Sequence, residues 1–364
     1  MLYKENWKQS KQRFNALWEN EVIDRCCVAV KASRKGISCQ QELDKKFARP
    51  LTHEALLQYY TDPERVLERH VAEFENTYYA GEALPVLYPS WGDSGCAIYF
   101  NCCYKYVGNT AWFFPTIANW EKDALTFDEN AELLGSHQKF IRYLAEQAKG
   151  KFLLSSPDYF GNTDALINLR GTENTLTDMV DEPQLFKSCL KMIKSAVKSV
   201  SNSFYDTIMP SCDGGSAIAW YNTWAQGRHG LVQCDFSAMI SPRMFEELIL
   251  PDLEESCNGL DCAVYHLDGE EQLRHLDMIL SVKNLKMIQW TNVAGKPSVL
   301  NYIPAFRKIQ KAGKGLLLFA DMKEVETLLS ELSPKGLFIN AGWAPTQEVA
   351  DEFVDKVARL TGKY

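Results

Sequence analysis

From residue 151 onward, short apolar segments alternate with longer stretches in which apolar residues recur at helical spacing. KFLLSS (151–156), AIAWYN (217–222), AVYHL (263–267), KMIQW (286–290), GLLLFA (315–320) and GLFIN (336–340) read as strands. Helices are expected near 183–206, 242–257, 270–280, 300–312, 322–332 and 346–361. Apolar strands separated by amphipathic helices suit a parallel sheet covered on both faces. Six such units in succession predict an α/β chain of the (β/α)8 TIM-barrel type rather than an open sheet. Ser241-Pro242 reads as an N-cap followed by proline at the first helical position. Pro183 would also suit a first position, although Glu182 before it is a poor cap. Gly313 and Gly315 follow the 300–312 stretch and mark its end.

The first 150 residues are less regular. A helix is expected over 4–20, where Trp7, Phe14, Leu17 and Trp18 recur on one face, and CCVAVKA (26–32) reads as a strand. Residues 53–75 read as one or two helices broken at Asp62-Pro63, and 77–120 are rich in aromatic and turn-forming residues. No linker or low-complexity tract interrupts the chain. The expectation is one domain over 1–364, with a helical and irregular N-terminal part (1–150) elaborating regular βα units (151–364).

Composition narrows the function classes. The 364 residues carry a formal net charge of −8 with no stripe of Lys or Arg, which argues against nucleic acid and anionic membranes as partners. The N-terminus is polar from its start, and the apolar runs are too short to cross a bilayer. Eleven cysteines are scattered along the chain. Cys26-Cys27 and Cys102-Cys103 are adjacent pairs, and no CxxC occurs. That usage suits free thiols in a reducing compartment, so a cytoplasmic protein is expected.

Candidate chemistry centres on His266 and Asp268. Two residues apart at the end of an expected strand, they share a face, which at the C-terminal mouth of a barrel looks into the active site. A metal-binding or acid/base role follows. The plainer alternative is a histidine bonded to backbone, with Asp268-Gly269 forming a turn. Asp235 follows Cys234 after a loop containing Arg228-His229; it would bind substrate or metal, or else pair with Arg228. Cys234 could join His266 as a metal ligand. Trp91, Trp112, Trp220, Trp224, Trp290 and Trp343 fall at or near expected strand ends and loops, where aromatic walls suit a flat or apolar small-molecule ligand. His53, His70, His137 and His275 sit in helix-like surroundings and read as structural. No GxGxxG, P-loop, HExxH or GxSxG occurs.

CDFSAMISPRMFEELILPDLEE (234–255), AVYHLDG (263–269) and GLFINAGWAPTQEVADEF (336–353) together resemble the uroporphyrinogen decarboxylase superfamily. FGNTDALINLRG (160–171) and DMVDEPQLF (178–186) are similar to it too, so the likeness covers most of the chain and is weakest in the N-terminal third. The resemblance implies a barrel and one of two activities, tetrapyrrole decarboxylation or cobalamin-linked methyl transfer. The decarboxylases carry an Arg-Gln-Ala-Gly-Arg-Tyr loop whose arginines would pair with substrate carboxylates. Here the nearest candidates, Arg25, Arg34 and Arg49, lie in no such motif. The methyltransferases use zinc on a histidine and two cysteines. His266 matches the histidine, Asp268 stands where the first cysteine would be, and the second falls near Ala341. The resemblance also places Asp164 and Arg170 near the pocket, where they would bind substrate or form an ion pair at the rim.

The leading expectation is therefore a methyltransferase with zinc or another divalent metal on His266 and Asp268. Asp235 and the tryptophans would shape its pocket, and a corrinoid, carried by a partner protein, would be the methyl carrier. A decarboxylase of a tetrapyrrole or smaller acid, and a ligand-binding barrel without catalysis, are the alternatives. Oligomeric state stays open, a homodimer included.

Overall fold

The computed structural model describes residues 1–89, 91, 95–100, 102–108, 110–157, 161–292 and 295–362. Among them the strands are β1 (Cys27–Ser33), β2 (Thr77–Gly81), β3 (Val86–Leu87), β4 (Cys103–Val107), β5 (Thr110–Phe114), β6 (Leu153–Leu154) and β7 (Gly215–Ile218). They continue with β8 (Thr223–Gln226), β9 (His229–Gln233), β10 (Cys262–Asp268), β11 (Leu285–Thr291), β12 (Gly315–Phe319) and β13 (Leu337–Trp343). Seven of these form one sheet in the order β2-β1-β13-β12-β11-β10-β9. All its pairings are parallel except β1 with β2.

This is an α/β architecture around a mostly parallel sheet, as the alternating pattern predicts. Among the described residues the strands do not close into an eight-stranded ring by hydrogen bonds. The ladder runs open from β2 to β9; among the described residues β3 pairs with β6, which reaches β7 through the bridge Ser155–Ala217. Prolines explain the short pieces. Pro85 and Pro89 flank β3 and Pro157 follows β6, and a residue without an N–H cannot extend a ladder.

The strands that matter most for the site are buried almost throughout. Val264, Tyr265, Leu267, Met287, Ile288, Leu316, Leu317, Phe338 and Ile339 are fully enclosed, as a sheet covered by helices on its outer face requires. The helix starts also follow the sequence signals. Asp62 caps Pro63–Asn76 through the N–H groups of Glu64 and Arg65, and Ser241 accepts from Met244 N–H. Glu182 makes no side-chain cap before Pro183–Ile208. The helix begun at Pro242 passes through a π-helical turn over Phe245–Ile249.

Three elements differ from expectation. AIAWYN is not a continuous strand: β7 stops at Ile218, the chain turns with Asn222 at φ +61°, and it returns as β8. The loop expected around Arg228-His229 is the start of β9, whose pairing with β10 recruits residues that carry little strand signal alone. In the turn-rich N-terminal region, β4 and β5 form an antiparallel hairpin, packed by Tyr106 and Ala111 against Leu56 and Tyr60 of the helix His53–Thr61.

The N-terminal part is stapled to the sheet by buried polar contacts. Lys4 Nζ donates to the carbonyls of Tyr79 (2.8 Å) and Gly81 (2.6 Å). Arg25 makes a two-pronged pair with Glu82, at 2.5 and 2.8 Å, and Glu82 also accepts the Val28 N–H at 3.0 Å. Gly81, at φ +58°, permits this edge, because a Cβ there would lie 2.1 Å from Val28 O.

Candidate functional site

Strand register brings the polar residues together. Gln233 of β9, His266 of β10 and Gln289 of β11 are paired neighbours in one row across the sheet, and all three are buried. One step further towards the C-terminal edge, Asp268 pairs with Thr291. Since β10 side chains alternate, His266 and Asp268 share a face. Asp235, just past the end of β9, completes a group in which donor atoms of Asp235, His266 and Asp268 all lie within 4.8 Å of one another. Gly269, at φ +89°, turns the chain away immediately after Asp268.

His266 is held from three sides. Its Nδ1 lies 2.5 Å from Gln289 Oε1 and 3.2 Å from the Tyr221 hydroxyl. The Trp220 ring meets the imidazole edge-on, with centroids 5.2 Å apart. Trp220 and Tyr221 sit in the β7–β8 turn, so that hairpin serves as one wall. Burial lowers the His266 pKa, opposed by the Gln289 hydrogen bond and the Asp268 charge.

Asp235 is held from its own side of the site. Gln233 Nε2 donates to Asp235 Oδ2 (3.0 Å) and to Asp164 Oδ2 (3.2 Å). Asp164 in turn accepts the backbone N–H groups of Asp235 and Phe236, both at 3.2 Å. Enclosure by the protein raises the pKa of Asp235, with the charges of Asp164 and Asp268 adding to it. Burial raises that of Asp164 as well. Among the described residues none of the three carboxylates has a Lys or Arg within ion-pair distance. Asp164 and Asp235 also line a cleft of about 460 Å³ with Thr110, Ile167, Phe236 and Met239.

Several residues expected together at the site lie apart. Cys234 is buried outside the cluster, where burial pushes its thiol up. Asp235 does not pair with Arg228, which precedes the opposite end of β9 and whose backbone N–H donates to Asp261. Asp164 and Arg170 are not partners: Arg170 pairs with Asp178 at 2.8 Å, donates to the Ile117 and Ala118 carbonyls and covers Trp120. Arg170 is thus committed to Asp178 and the Ile117 and Ala118 carbonyls, whereas Asp164 faces Gln233 and the Asp235 turn.

The tryptophans divide. Trp220 touches His266, and Trp343, half exposed, ends β13 at the C-terminal edge of the sheet. Trp112 is exposed on the outward face of the β4–β5 hairpin. Trp224 and Trp290 are core residues, the first edge-on to Trp7 and bonded to the Cys212 carbonyl, the second packed on Tyr302 and Phe306. Trp91 is buried and stacked on His137. Of the three arginines considered for a decarboxylase, Arg25 is tied to Glu82, Arg34 donates to the Thr77 carbonyl, and Arg49 is exposed. Gln233, Gln289 and Tyr221 escaped the sequence reading. The signal for Gln289 was available, as a lone amide inside the apolar run KMIQW.

No family model matches this sequence, and no curated protein matches it. Among solved structures, a methyltransferase from Methanosarcina mazei is similar in fold, with a TM-score of 0.58 and 11% identity over 96% of this chain and 98% of that one.

Proposed function

We propose that this protein is an enzyme that transfers a methyl group, assisted by a divalent metal on Asp235, His266 and Asp268. The observation that carries the reading is the convergence of those three donors within 4.8 Å at strand ends. The residues fit an ion: one imidazole and two carboxylates are common metal ligands, and these carboxylates have no cationic side chain to balance them. The two thiolates of the superfamily's zinc site are replaced here, so oxygen-tolerant ions such as zinc, manganese or iron suit the set better than a thiophilic one. When bound, the ion would supply Lewis-acid polarisation of a heteroatom on the methyl donor or acceptor.

The remaining chemistry belongs to the chain. Asp164 and Gln233 hold the Asp235 turn in place, Trp220 offers apolar surface beside His266, and Phe236 and Met239 offer it in the cleft beside Asp235. In the transfer, the acceptor's lone pair forms the new bond to carbon and the donor atom keeps the pair of the broken bond. A methylated small molecule as donor and a corrinoid carried by a partner protein are the reactants we favour, on the likeness of sequence motifs and of fold. We read the parallel ladder β1-β13-β12-β11-β10-β9 as part of the wall of one (β/α)8-type barrel in a single domain. The eleven free cysteines suit a cytosolic setting. A decarboxylase of a carboxylate-rich substrate is disfavoured, because none of the three candidate arginines pairs with the cluster.

The test is metal content of the purified protein, in the wild type and in His266→Ala and Asp268→Ala. A near-stoichiometric metal lost in both variants is expected. A metal-free wild type that also takes up no added zinc or manganese would remove the mechanism.

A further inference from the structure

We infer that Gln289 is a positioning residue that fixes which nitrogen of His266 is available to a ligand. The inference deepens the metal-site reading and, in its metal-binding consequence, rests on it. A neutral imidazole carries one proton, so one ring nitrogen donates and the other offers a lone pair. The 2.5 Å contact between His266 Nδ1 and Gln289 Oε1 joins an amide oxygen, which can only accept, to a nitrogen that must then donate. Thr291 joins the same contact: Gln289 Nε2 donates to its Oγ1 at 3.0 Å, and that hydroxyl lies 3.4 Å from Gln289 Oε1 and 3.5 Å from His266 Nδ1. The Tyr221 hydroxyl oxygen, 3.2 Å from the same nitrogen, is a second acceptor there. Gln289 is fully buried, so water does not compete for the bond.

With the proton on Nδ1, the lone pair of His266 is on Nε2. Among the described residues Nε2 has no hydrogen-bond partner, and it is not among the buried unpartnered atoms, so it is reachable from the site. Ligating histidines commonly donate their other ring N–H to an acceptor that sets the tautomer. Here that acceptor is a neutral amide from the adjacent strand, delivered by register: His266 and Gln289 are a paired position of β10 and β11. An amide in place of a carboxylate orients the ring without adding another negative charge beside Asp235 and Asp268.

The experiment reads the tautomer directly, in metal-free protein. Long-range ¹H–¹⁵N spectra at neutral pH, with the His266 signal assigned by its loss in His266→Gln, should show Nδ1 protonated and Nε2 bare. Gln289→Glu keeps an acceptor and should keep that tautomer. Gln289→Leu removes it and should yield a mixture or the Nε2–H form. Titrated with zinc alone, Gln289→Leu should bind about 10- to 100-fold more weakly than wild type, the usual effect of losing such a partner, and Gln289→Glu should recover most of the loss. A wild-type His266 protonated on Nε2, or a Gln289→Leu variant with an unchanged tautomer, overturns the inference. Should the leucine variant fail to fold, the wild-type and glutamate spectra still decide. A correct tautomer with no zinc uptake by wild type would defeat the metal reading and leave the role of Gln289 in place.

Discussion

Asp164 Oδ2 lies 3.2 Å from the backbone nitrogen of Asp235, and Asp164 Oδ1 lies 3.2 Å from that of Phe236. A residue in the first turn of the helix Asn162–Arg170 thus ties down the turn that presents a proposed ligand. Asp164→Ala leaves two backbone donors without partners, which costs about 1–3 kcal/mol where they are shielded from water. Urea denaturation should show that loss, and zinc titration should show weaker binding. Asp164→Asn, which keeps one acceptor, should fall between alanine and wild type.

Gly161 controls the same contact sterically. A Cβ there would stand 1.8 Å from the Gln233 carbonyl oxygen. Gly161→Ala must push the helix start away from β9 and carry Asp164 with it. We expect a destabilisation of about 1–3 kcal/mol, the usual scale of overpacking, read as a lower Tm together with weaker zinc binding.

The Arg25–Glu82 pair lies near the N-terminal end of β1, remote from the ligand-bearing strand ends. Glu82 is wholly enclosed and is shared between Arg25 and Arg13, the latter at 3.2 Å, so removing Arg25 leaves an interior charge with only its longer guanidinium contact. Arg25→Met should be destabilising by less than the roughly 3–5 kcal/mol for leaving a buried charge without any partner, because Arg13 stays in place. The double variant Arg25→Met/Glu82→Gln should regain part of it. Equilibrium denaturation of both proteins checks this, and neither variant should alter the His266 tautomer.

Acid should weaken the fold through buried histidines. His137 is flanked by the Tyr99 hydroxyl at Nδ1 and the Pro89 carbonyl at Nε2, a pattern that suits the neutral ring, and burial pushes its pKa down from 6.5 to about 4. His229 is lowered to about 4 for the same reason. Between pH 6.5 and 4 the unfolded chain therefore binds protons that the folded chain refuses. The stability contribution is whole above pH 6.5 and is lost as the pH falls towards 4, by about 1.4 kcal/mol per pH unit for each histidine. Urea melts at pH 7 and pH 5 should show a smaller difference for His137→Gln than for wild type.

Trp220 and Trp224 are four residues apart and should behave oppositely. Trp224 is a fully buried core residue, and Trp224→Ala should cost about 3–5 kcal/mol. Trp220 is 37% exposed beside His266. Trp220→Ala should leave the melting curve nearly unchanged while altering the affinity for small-molecule ligands. Thermal melts of the two variants separate the roles.

The contrast between these two tryptophans shows where sequence reading stops. Both look alike in AIAWYNTWAQ, because period-two alternation assumes a straight strand and does not reveal that the chain turns at Asn222. Arg170 and Asp164 mislead similarly. Six residues apart, they invite pairing, but on a helix that spacing points them to different sides, and each finds a partner distant in sequence.

What the amino-acid sequence determined by itself was local and periodic. Apolar runs between amphipathic stretches specified a parallel sheet flanked by helices. Ser241-Pro242 and Asp62-Pro63 marked helix starts, and the His266-x-Asp268 spacing placed two ligand-type side chains on one face of a strand. Those features depend on backbone geometry over a few residues, which neighbouring residues set. Tertiary structure alone decided that Asp235 lies beside them and that Gln289 and Gln233 flank His266. Each of these depends on which residues stand opposite one another across separate strands, and inter-strand register is set by the packing of the whole sheet.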